Sequence, residues 1–454
     1  MECTQRSRRR LGLEQEFFLT DQTGVLCAEA DRFVLRCRES AASSGGDPGC
    51  FRGECARSMV EVSTAPCHDF AALAEDYESN LRLALHAGRE LGLRLYPLGT
   101  YPLPTNPIFR DEPCYTVKKR TLGGERMIHA GRCAGTHLHL ELPPNTVAPT
   151  VKASRRASPE AREELLALYN LATALDPALV ALGRSCPFYE GEMPGFAARV
   201  VRYRGALDVK GVYSGLPEIG DLQPYAGSVE DLISLERRRY QAWFSAMDRA
   251  GVERRLFGRT GGNRHRAAWN PVRLSPHGTV EIRTPDSNYP DKVLALAALI
   301  YRAARRVRRE GLRVLPLAGV RVFEAASGML LVPDLAYLRG ELFPAAATTG
   351  TGSPEVRRYL DSIFEFAESG TEGQEYLERL RNPGGGYAVT EAEILRRSPP
   401  VIGSIAPGEG LELVREACDE LERQILRPHP GNRPDPLSGD VIRRYSGEPG
   451  ACAV

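Results

Sequence analysis

The chain has 454 residues, 42% of them hydrophobic and 26% charged, which is enough for one large domain or two ordinary ones with a sizeable core. Its 59 basic residues nearly balance its 58 acidic ones, so charge gives no argument for a nucleic-acid partner. No apolar run is long enough to predict a membrane span or a signal peptide, and the 11 cysteines, irregularly spaced and without a CxxC pair, favour reduced thiols. We therefore expect a cytoplasmic protein with no membrane partner.

The first third of the sequence predicts strands around one long helix. The helix begins after the capping residue Asp69 and runs through Glu90 to a stop at Gly92, because apolar residues recur at helical spacing between them. Loops rich in glycine or proline are predicted at Ala42–Gly49 and Pro102–Pro107. Alternating or apolar runs predict strands at Leu11–Leu19, Ser58–Thr64, Leu93–Gly99 and His137–Leu142.

The remainder predicts mainly helices around one further strand, Thr279–Arg283. Serine caps begin helices at Ser158, through about Leu175, and at Ser228, through about Ala250. Arg381–Val389 is predicted to be a loop. Further helices are predicted at Pro290–Glu310, Pro354–Glu368 and Leu411–Leu426. Strands interspersed with helices indicate an α+β fold with an antiparallel or mixed sheet covered by helices on one face.

Four of the predicted strands have one ionisable face and one apolar face, since residues two apart in a strand point the same way. The ionisable faces carry Glu14 and Glu16, then Glu61, then His137, His139 and Glu141, and finally Glu281 and Arg283. The opposite faces carry Leu13, Val60, Val62, Leu138, Leu140, Val280 and Ile282. The apolar faces therefore predict a core that helices cover.

Each ionisable pattern alone is typical of a solvent-facing strand. Together, however, the four strands contain no lysine and would gather four carboxylates around a single arginine, Arg283. Such a cluster repels itself and is costly to bury unless cations compensate. Hard divalent ions prefer oxygen ligands, and Mg²⁺ often bridges carboxylates to the phosphates of a nucleotide. The pattern favours a metal–nucleotide site on an open sheet.

Four segments, "LGLEQEFFL", "GECARSMVEVSTAPC", "GRCAGTHLHLELP" and "GTVEIRTPDSN", resemble in order and spacing the glutamate–cysteine ligase superfamily, most closely the bacterial carboxylate–amine ligases of its family 2. The resemblance implies a curved antiparallel sheet that forms a funnel backed by helices, related to glutamine synthetase and the guanidino kinases. It implies one catalytic domain over residues 1–454, with residues 1–10 lacking order and residues 311–454 as its helical C-terminal part.

The implied activity is ATP-dependent amide formation, as in glutathione biosynthesis. ATP phosphorylates a carboxylate, usually the γ-carboxylate of L-glutamate, and an amine, typically that of L-cysteine, attacks the acyl phosphate. ATP and two or three Mg²⁺ ions are the implied cofactors, and these small molecules are the expected partners. The oligomeric state stays open.

The resemblance also implies roles for individual residues. The expected Mg²⁺ ligands are Glu14, Glu16, Glu54, Glu61 and Glu281. Arg283 resembles the arginine that meets the γ-phosphate, so Arg283 and Glu281 are the expected catalytic residues. The expected contacts of ATP are His137, His139 and Arg283, although several family members carry Asn at the position of His139, whose role stays open.

This chemistry needs no covalent nucleophile on the protein, because Mg²⁺ and an arginine can neutralise the repulsion between a carboxylate and ATP. The segments Pro102–Pro107 and Arg199–Gly211 are either lids with substrate arginines or ordinary connecting loops. Three alternatives to the ligase remain. A zinc-dependent hydrolase would explain the two histidines at alternate positions of one strand, His137 and His139, but His265 and His277 are poorly placed as further zinc ligands. A non-catalytic nucleotide or amino-acid sensor, or a ligase for another amine or carboxylate, would share the fold.

Overall fold

The computed structural model describes residues 9–148, 152–154, 156–267, 269–368, 372–397 and 403–426. The predicted lack of order over residues 1–8 lies outside these ranges. The last two residues of that predicted segment make ion pairs: Arg9 Nε lies 2.9 Å from Glu164 Oε1, and Arg10 Nη2 lies 2.5 Å from Glu141 Oε1.

The strands and helices follow one another along the whole described chain. The strands are β1 (Leu11–Thr20), β2 (Phe51–Gly53), β3 (Met59–Ser63), β4 (Arg94–Tyr96), β5 (Thr136–Glu141), β6 (Val147–Ala148), β7 (Lys152–Ala153), β8 (Val272–Leu274), β9 (Thr279–Ile282), β10 (Arg313–Leu317), β11 (Glu324–Ala326) and β12 (Met329–Pro333). The helices are α1 (Ala30–Ser44), α2 (Phe70–Leu91), α3 (Pro113–Leu122), α4 (Gly124–Met127), α5 (Pro159–Gly183), α6 (Ala198–Arg204), α7 (Pro217–Gly220), α8 (Val229–Arg249), α9 (Arg254–Arg259), α10 (Pro290–Glu310), α11 (Leu335–Tyr337), α12 (Phe343–Thr348), α13 (Pro354–Ala367), α14 (Gln374–Leu377), α15 (Thr390–Arg397) and α16 (Pro407–Leu426).

The main sheet has seven strands. Six of them follow one another in the order β2-β3-β1-β5-β9-β8, and the seventh, β4, pairs with the end of β1 at Phe18–Thr20. Every pairing in this sheet is antiparallel. The sheet does not close on itself, and helices pack against it, so the predicted α+β class is confirmed. The smaller three-stranded sheet β10-β12-β11 follows α10.

The apolar faces of the strands lie in the largest hydrophobic cluster, as the alternation predicted. The seven apolar residues on these faces are at most 7% exposed: Leu13, Val60, Val62, Leu138, Leu140, Val280 and Ile282. Helices α2, α5 and α10 supply the other side of this cluster. Leucine and alanine residues dominate the helical side, which allows close packing on β-branched strand residues. One face of the main sheet is therefore fixed by the core, and the other face is free to carry ionisable groups.

Several predicted boundaries were wrong. The N-terminal part of the predicted loop Ala42–Gly49 belongs to α1, which the positive φ of Gly45 (80°) ends. Helix α5 was expected to stop near Leu175 but continues to Gly183 despite Pro177. Strands of three residues, such as β2 and β8, give too short an alternation to be recognised in a sequence.

Helix α5 is long and apolar enough to cross a membrane by length and composition, and it is the helix among the described residues that meets this criterion. However, 94% of its most apolar window is buried by the rest of the protein, as in the central helix of a core. Asp176 is a buried charged residue within this apolar helix, and it pairs with Arg204 of α6 through bonds of 2.9 and 2.6 Å. Asp176 also accepts a hydrogen bond of 2.5 Å from the hydroxyl of Thr284, so it ties α5 to α6 and to the segment after β9.

We expect Arg204→Met to lower the free energy of unfolding by about 3–5 kcal/mol, because Asp176 would keep a buried charge without its cation. Denaturant titration followed by circular dichroism measures the change. Glu125→Gln is the control: Glu125 forms an ion pair with Lys210 on the surface, and its loss should leave the unfolding midpoint nearly unchanged. Equal effects of both substitutions would contradict the structural importance of the buried pair.

Candidate active site

The register of the main sheet brings the predicted site residues together. Glu14 of β1 lies opposite His137 of β5, and Glu16 lies opposite Glu61 of β3. His139 of β5 lies opposite Glu281 of β9. Residues distant in sequence therefore become neighbours on the face of the sheet that points away from the core.

Glu14 is at the centre of this arrangement. Among the described residues, two groups have possible ligand atoms within 4.8 Å of one another: Glu14, His139 and Glu281, and Glu14, Glu61 and His137. Glu14 Oε2 lies 3.3 Å from His137 Nδ1 and 3.4 Å from His139 Nε2. The two groups share one carboxylate, as two cations bridged by Glu14 would require.

Glu16 and Glu54 adjoin these groups without belonging to either. Glu16 Oε2 accepts a hydrogen bond of 2.6 Å from the backbone N–H of Gly135, and Glu16 Oε1 lies 4.0 Å from His137 Nε2. Glu54 follows β2 on the turn to β3, where its carboxylate accepts from the N–H of Cys55 at 3.3 Å. Both carboxylates thus lie beside the second group, Glu16 next to His137 and Glu54 next to the β2–β3 turn.

The carboxylates on the β3 side repel one another. Burial raises the pKa of Glu54 to about 8, and the nearby Glu16 adds to the effect. Burial also raises the pKa of Glu61 well above its usual value, assisted by Glu14 and Glu54. Burial opposes ionisation of Glu14 as well, but its hydrogen bonds to His137 and His139 hold its pKa well below the usual range.

The residues fit a divalent cation. The Nε2 atom of His137 is buried without a hydrogen-bond partner among the described residues, and the buried Nε2 atom of His139 has only the long contact of 3.4 Å with Glu14. Burial and the charge of Arg283 lower the pKa of His137, which leaves a neutral imidazole with a lone pair for a metal. A cation would satisfy these atoms and offset the repulsion among the acids. Two carboxylates and one imidazole in each group give the mainly oxygen ligands that hard ions prefer.

Glu281 is held differently, between two arginines. Arg273 of β8 lies opposite Glu281 and binds it through contacts of 2.6 and 3.1 Å. Arg283 binds the same carboxylate and lies 3.5 Å from His137 Nδ1. Burial of Glu281 disfavours its charge, but the two arginines keep its pKa below the usual value.

The sequence predicted one arginine at the site, and the structure places three. Arg52 of β2 lies opposite Glu61, with 3.9 Å between Nη1 and Oε1, and Arg273 occupies the matching position beside Glu281. Both sit in the middle of three-residue strands. The sequence SPHG between Arg273 and Glu281 could have revealed Arg273, because a hairpin turn at SPHG pairs these two residues.

The segment Arg199–Gly211, one of the two candidate lids, begins with side chains that are committed elsewhere. Arg199 is buried and donates to the carbonyl oxygens of Thr284 at 3.0 Å and Arg283 at 3.2 Å. A β-carbon on Gly135 would overlap the Arg199 guanidinium, so a residue without a side chain is required there. Arg199 therefore fixes the backbone that carries Arg283.

Lys118 of α3 is a site residue that the sequence did not indicate. Its ammonium lies 4.4 Å from the ring centroid of Trp269 and 5.7 Å from that of Tyr115. Burial lowers the pKa of Lys118 to about 8, whereas the nearby Cys55 and Glu54 act in the opposite direction. Helix α3 is short and only weakly amphipathic, so its sequence gives no hint of the face that meets the site.

A cavity of about 240 Å³ opens on the other side of the cluster, beside Glu14 and His139. Arg10, Arg52 and His277 also line it. His277 lies on the turn before β9 with its ring centroid 6.0 Å from that of His139. His265 instead faces the carbonyl oxygen of Leu274 at 3.1 Å, so it is not a further ligand of the cluster.

We expect Mg²⁺ to raise the melting temperature of the protein and Glu61→Gln to remove at least half of that increase. Without metal, Glu61→Gln should melt no lower than the unsubstituted protein, because a neutral amide relieves the repulsion with Glu14 and Glu54. Differential scanning fluorimetry with EDTA and with added Mg²⁺ measures both effects. Glu125→Gln serves as the control, and an equal Mg²⁺ response in both variants would contradict an ion at Glu61.

The sequence model of the family described as glutamate-cysteine ligase family 2 matches residues 10–319. A protein of Rhodococcus jostii RHA1 provisionally named glutamate–cysteine ligase 2-1 is 27% identical over 183 residues, which are 40% of this chain and 42% of that protein. A similarly named protein of Mycolicibacterium vanbaalenii is 26% identical over 285 residues, or 62% of this chain and 60% of that protein. The aligned part thus spans about half the length of these relatives.

Solved structures share the fold. A glutamate–cysteine ligase of Francisella tularensis, crystallised in complex with AMP, superimposes with a TM-score of 0.55 at 11% identity over 93% of this chain and 90% of that one. A bifunctional glutathione synthetase of Pasteurella multocida gives a TM-score of 0.55 at 15% identity over 92% of this chain and 53% of that one. The family match covers every residue of the acidic cluster, and the chain therefore belongs to glutamate–cysteine ligase family 2.

Proposed function

We propose that the protein is an ATP-dependent carboxylate–amine ligase that joins the γ-carboxylate of L-glutamate to the amine of L-cysteine and releases ADP and phosphate. The observation that carries the proposal is the shared position of Glu14, which is close enough to His137, His139, Glu61 and Glu281 for two cations to use it at once. Such a pair of ions suits a reaction in which a carboxylate must approach a triphosphate of the same charge.

The two groups of possible ligands would hold separate Mg²⁺ ions. Glu14, His139 and Glu281 form the first, and Glu14, Glu61 and His137 form the second. Glu16 and Glu54 lie beside the second group, where they can complete its coordination or bind a third ion. When bound, Mg²⁺ would neutralise the phosphates of ATP and draw the substrate carboxylate towards them.

Arg283 is the proposed contact of the transferring phosphoryl group. Glu281 binds one side of its guanidinium, and Arg199 binds its backbone carbonyl, so the side chain is oriented before substrate arrives. A guanidinium can donate two hydrogen bonds at once to phosphoryl oxygens, which a lysine ammonium cannot do with the same geometry. Arg273 is a second cationic partner of Glu281 besides Arg283, and it helps to keep this carboxylate ionised, as a metal ligand must be.

The nucleotide would enter through the cavity beside Glu14 and His139. Its walls carry Arg10, which also pairs with Glu141, and Arg52, together with Glu14 and His139 of the first group of ligands. Bound Mg²⁺ would offset the acidic wall residues and allow a polyanion to bind there. The Francisella relative that shares this fold was crystallised with AMP, which supports a nucleotide site in this chain. The reading of the chain as one cytoplasmic catalytic domain stays a prediction.

The amine acceptor is the part of the proposal with the fewest structural constraints. A ligase that uses another amine, or another carboxylate, would need the same ions and the same arginine. A zinc-dependent hydrolase is less well supported, because each group of ligands holds two carboxylates and one imidazole. His265 lies elsewhere, and His277, although close to His139, belongs to neither group. A sensor that binds ATP without turnover would not need an oriented Arg283.

The direct test is release of ADP from Mg·ATP in the presence of L-glutamate and a panel of amines that includes L-cysteine. We expect release that requires both glutamate and an amine, with a product mass equal to the sum of the two less one water. Omission of either substrate is the control. Zinc at one equivalent in the purified protein, with no ADP release for any pair, would instead favour the hydrolase.

We expect Glu14→Gln and Glu281→Gln to abolish turnover while the circular dichroism spectrum stays unchanged, because each substitution removes a charged ligand and keeps the size of the side chain. Arg283→Lys should lower kcat by about a hundredfold or more, as loss of a transition-state donor does. Arg254→Lys, on an exposed pair with Asp248, is the matched control. Near-normal kcat in any of the first three variants would remove that residue from the proposed mechanism.

A further inference from the structure

The cations around the acidic cluster differ in what they already bind. Arg273 and Arg283 both contact Glu281, and Arg52 lies opposite Glu61. Lys118 forms no ion pair or hydrogen bond with any described residue, and its ammonium lies over the ring of Trp269 and near that of Tyr115, with Glu54 in its vicinity. Among these four side chains, Lys118 is therefore the one that no carboxylate of the described residues holds in an ion pair.

The ammonium of Lys118 is held in place by a rigid aromatic support. Trp269 stacks on Tyr213 with ring centroids 5.5 Å apart and packs edge-on against Trp243 at 5.0 Å. Trp243 and Tyr213 are almost fully buried, so this support cannot move without disturbing the core beneath it. A cation over such a ring is attracted to its face and still has its hydrogen-bond donors available.

The position of Lys118 separates it from the proposed path of the nucleotide. The 240 Å³ cavity lies beside Glu14 and His139, whereas Lys118 acts on Glu54 and Arg283 at the opposite side of the cluster. Trp269, whose ring the Lys118 ammonium faces, also lines a space of about 30 Å³ together with Arg283 and Tyr203, and that space accommodates a small polar group and not a nucleotide. A ligand that reaches both Lys118 and Arg283 is thus small, and the charge of Lys118 favours an anion.

An amino-acid substrate of the proposed reaction carries such a group. The carboxylate that accepts the phosphoryl group must lie against the ions and Arg283, so its other carboxylate needs a cation that is still available. We infer that Lys118 binds the non-reacting carboxylate of the amino-acid substrate and thereby orients its reacting carboxylate towards Arg283. This inference rests on the proposed function in one respect, namely that the substrate is an amino dicarboxylate such as L-glutamate.

The test compares Lys118→Met with Lys118→Arg and with the control Lys119→Met. Lys119 lies on the same helix, and its ammonium is over the ring of Phe109. We expect Lys118→Met to raise the KM for L-glutamate about tenfold or more with the KM for ATP unchanged, because a charge-assisted contact is lost at one substrate only. Lys118→Arg should recover part of the affinity, and Lys119→Met should match the unsubstituted protein. An unchanged KM for glutamate, or a raised KM for ATP alone, would overturn the inference.

A binding measurement separates this inference from the proposed activity. The chain has two tryptophans, and one of them, Trp269, contacts Lys118, so tryptophan fluorescence can report a ligand there. We expect L-glutamate, titrated with Mg²⁺ and a non-hydrolysable ATP analogue, to change the fluorescence with an affinity that Lys118→Met weakens about tenfold. If glutamate binds in this way but no amine gives ADP release, the ligase proposal fails and the role of Lys118 stands. If glutamate binds equally well to Lys118→Met, or does not bind at all, the role of Lys118 is wrong.

Discussion

The mutual repulsion of buried carboxylates on one face of an antiparallel sheet is the constraint on which the site depends. The register of β1 and β3 brings Glu14, Glu16 and Glu61 together, and Glu54 joins them from the turn between β2 and β3. The apolar side chains on the reverse of the same strands lock that register into the core. The hydrophobic energy of the core thus holds together charges that would otherwise separate, and the site stays ready for cations.

Two different solutions to that repulsion coexist a few ångströms apart. Glu281 is compensated by protein cations, since Arg273 and Arg283 both bind it. The acids around Glu61 are compensated far less, because Arg52 lies 3.9 Å away on a largely exposed side chain. The carboxylates of the site therefore differ in charge compensation, since Glu281 is already paired with two arginines whereas those around Glu61 still require an ion. The reacting groups of a phosphoryl transfer would meet between these two parts of the sheet.

The meeting of Glu14, Glu61, His137 and Glu281 was implied by the resemblance to the ligase family, because alternation alone does not say which strands are neighbours. The alternation itself was sufficient to predict four strands with their apolar and ionisable faces. It was sufficient because strand periodicity is exact and each of those strands has at least four residues. Arg52 and Arg273 were missed because their strands have three residues, too few for a period to be seen. Lys118 was missed for another reason: it reaches the site through the packing of α3 on Trp269, a tertiary contact that no local pattern contains.

The short strands at the two rims of the main sheet have a further consequence for the solubility of the fold. Strands β2 and β8 are the outermost strands of the sheet, where unpaired backbone groups could template an added strand, but side chains of the protein already bond acceptors there: Arg38 donates to the carbonyl oxygen of Phe51 at 3.0 Å, and His265 Nδ1 lies 3.1 Å from that of Leu274. Each is only three residues long and has an arginine at its middle position, Arg52 in one and Arg273 in the other. An added strand from another molecule would therefore have to displace side chains that already occupy these acceptors, and the short length of both strands limits the number of backbone bonds it could gain.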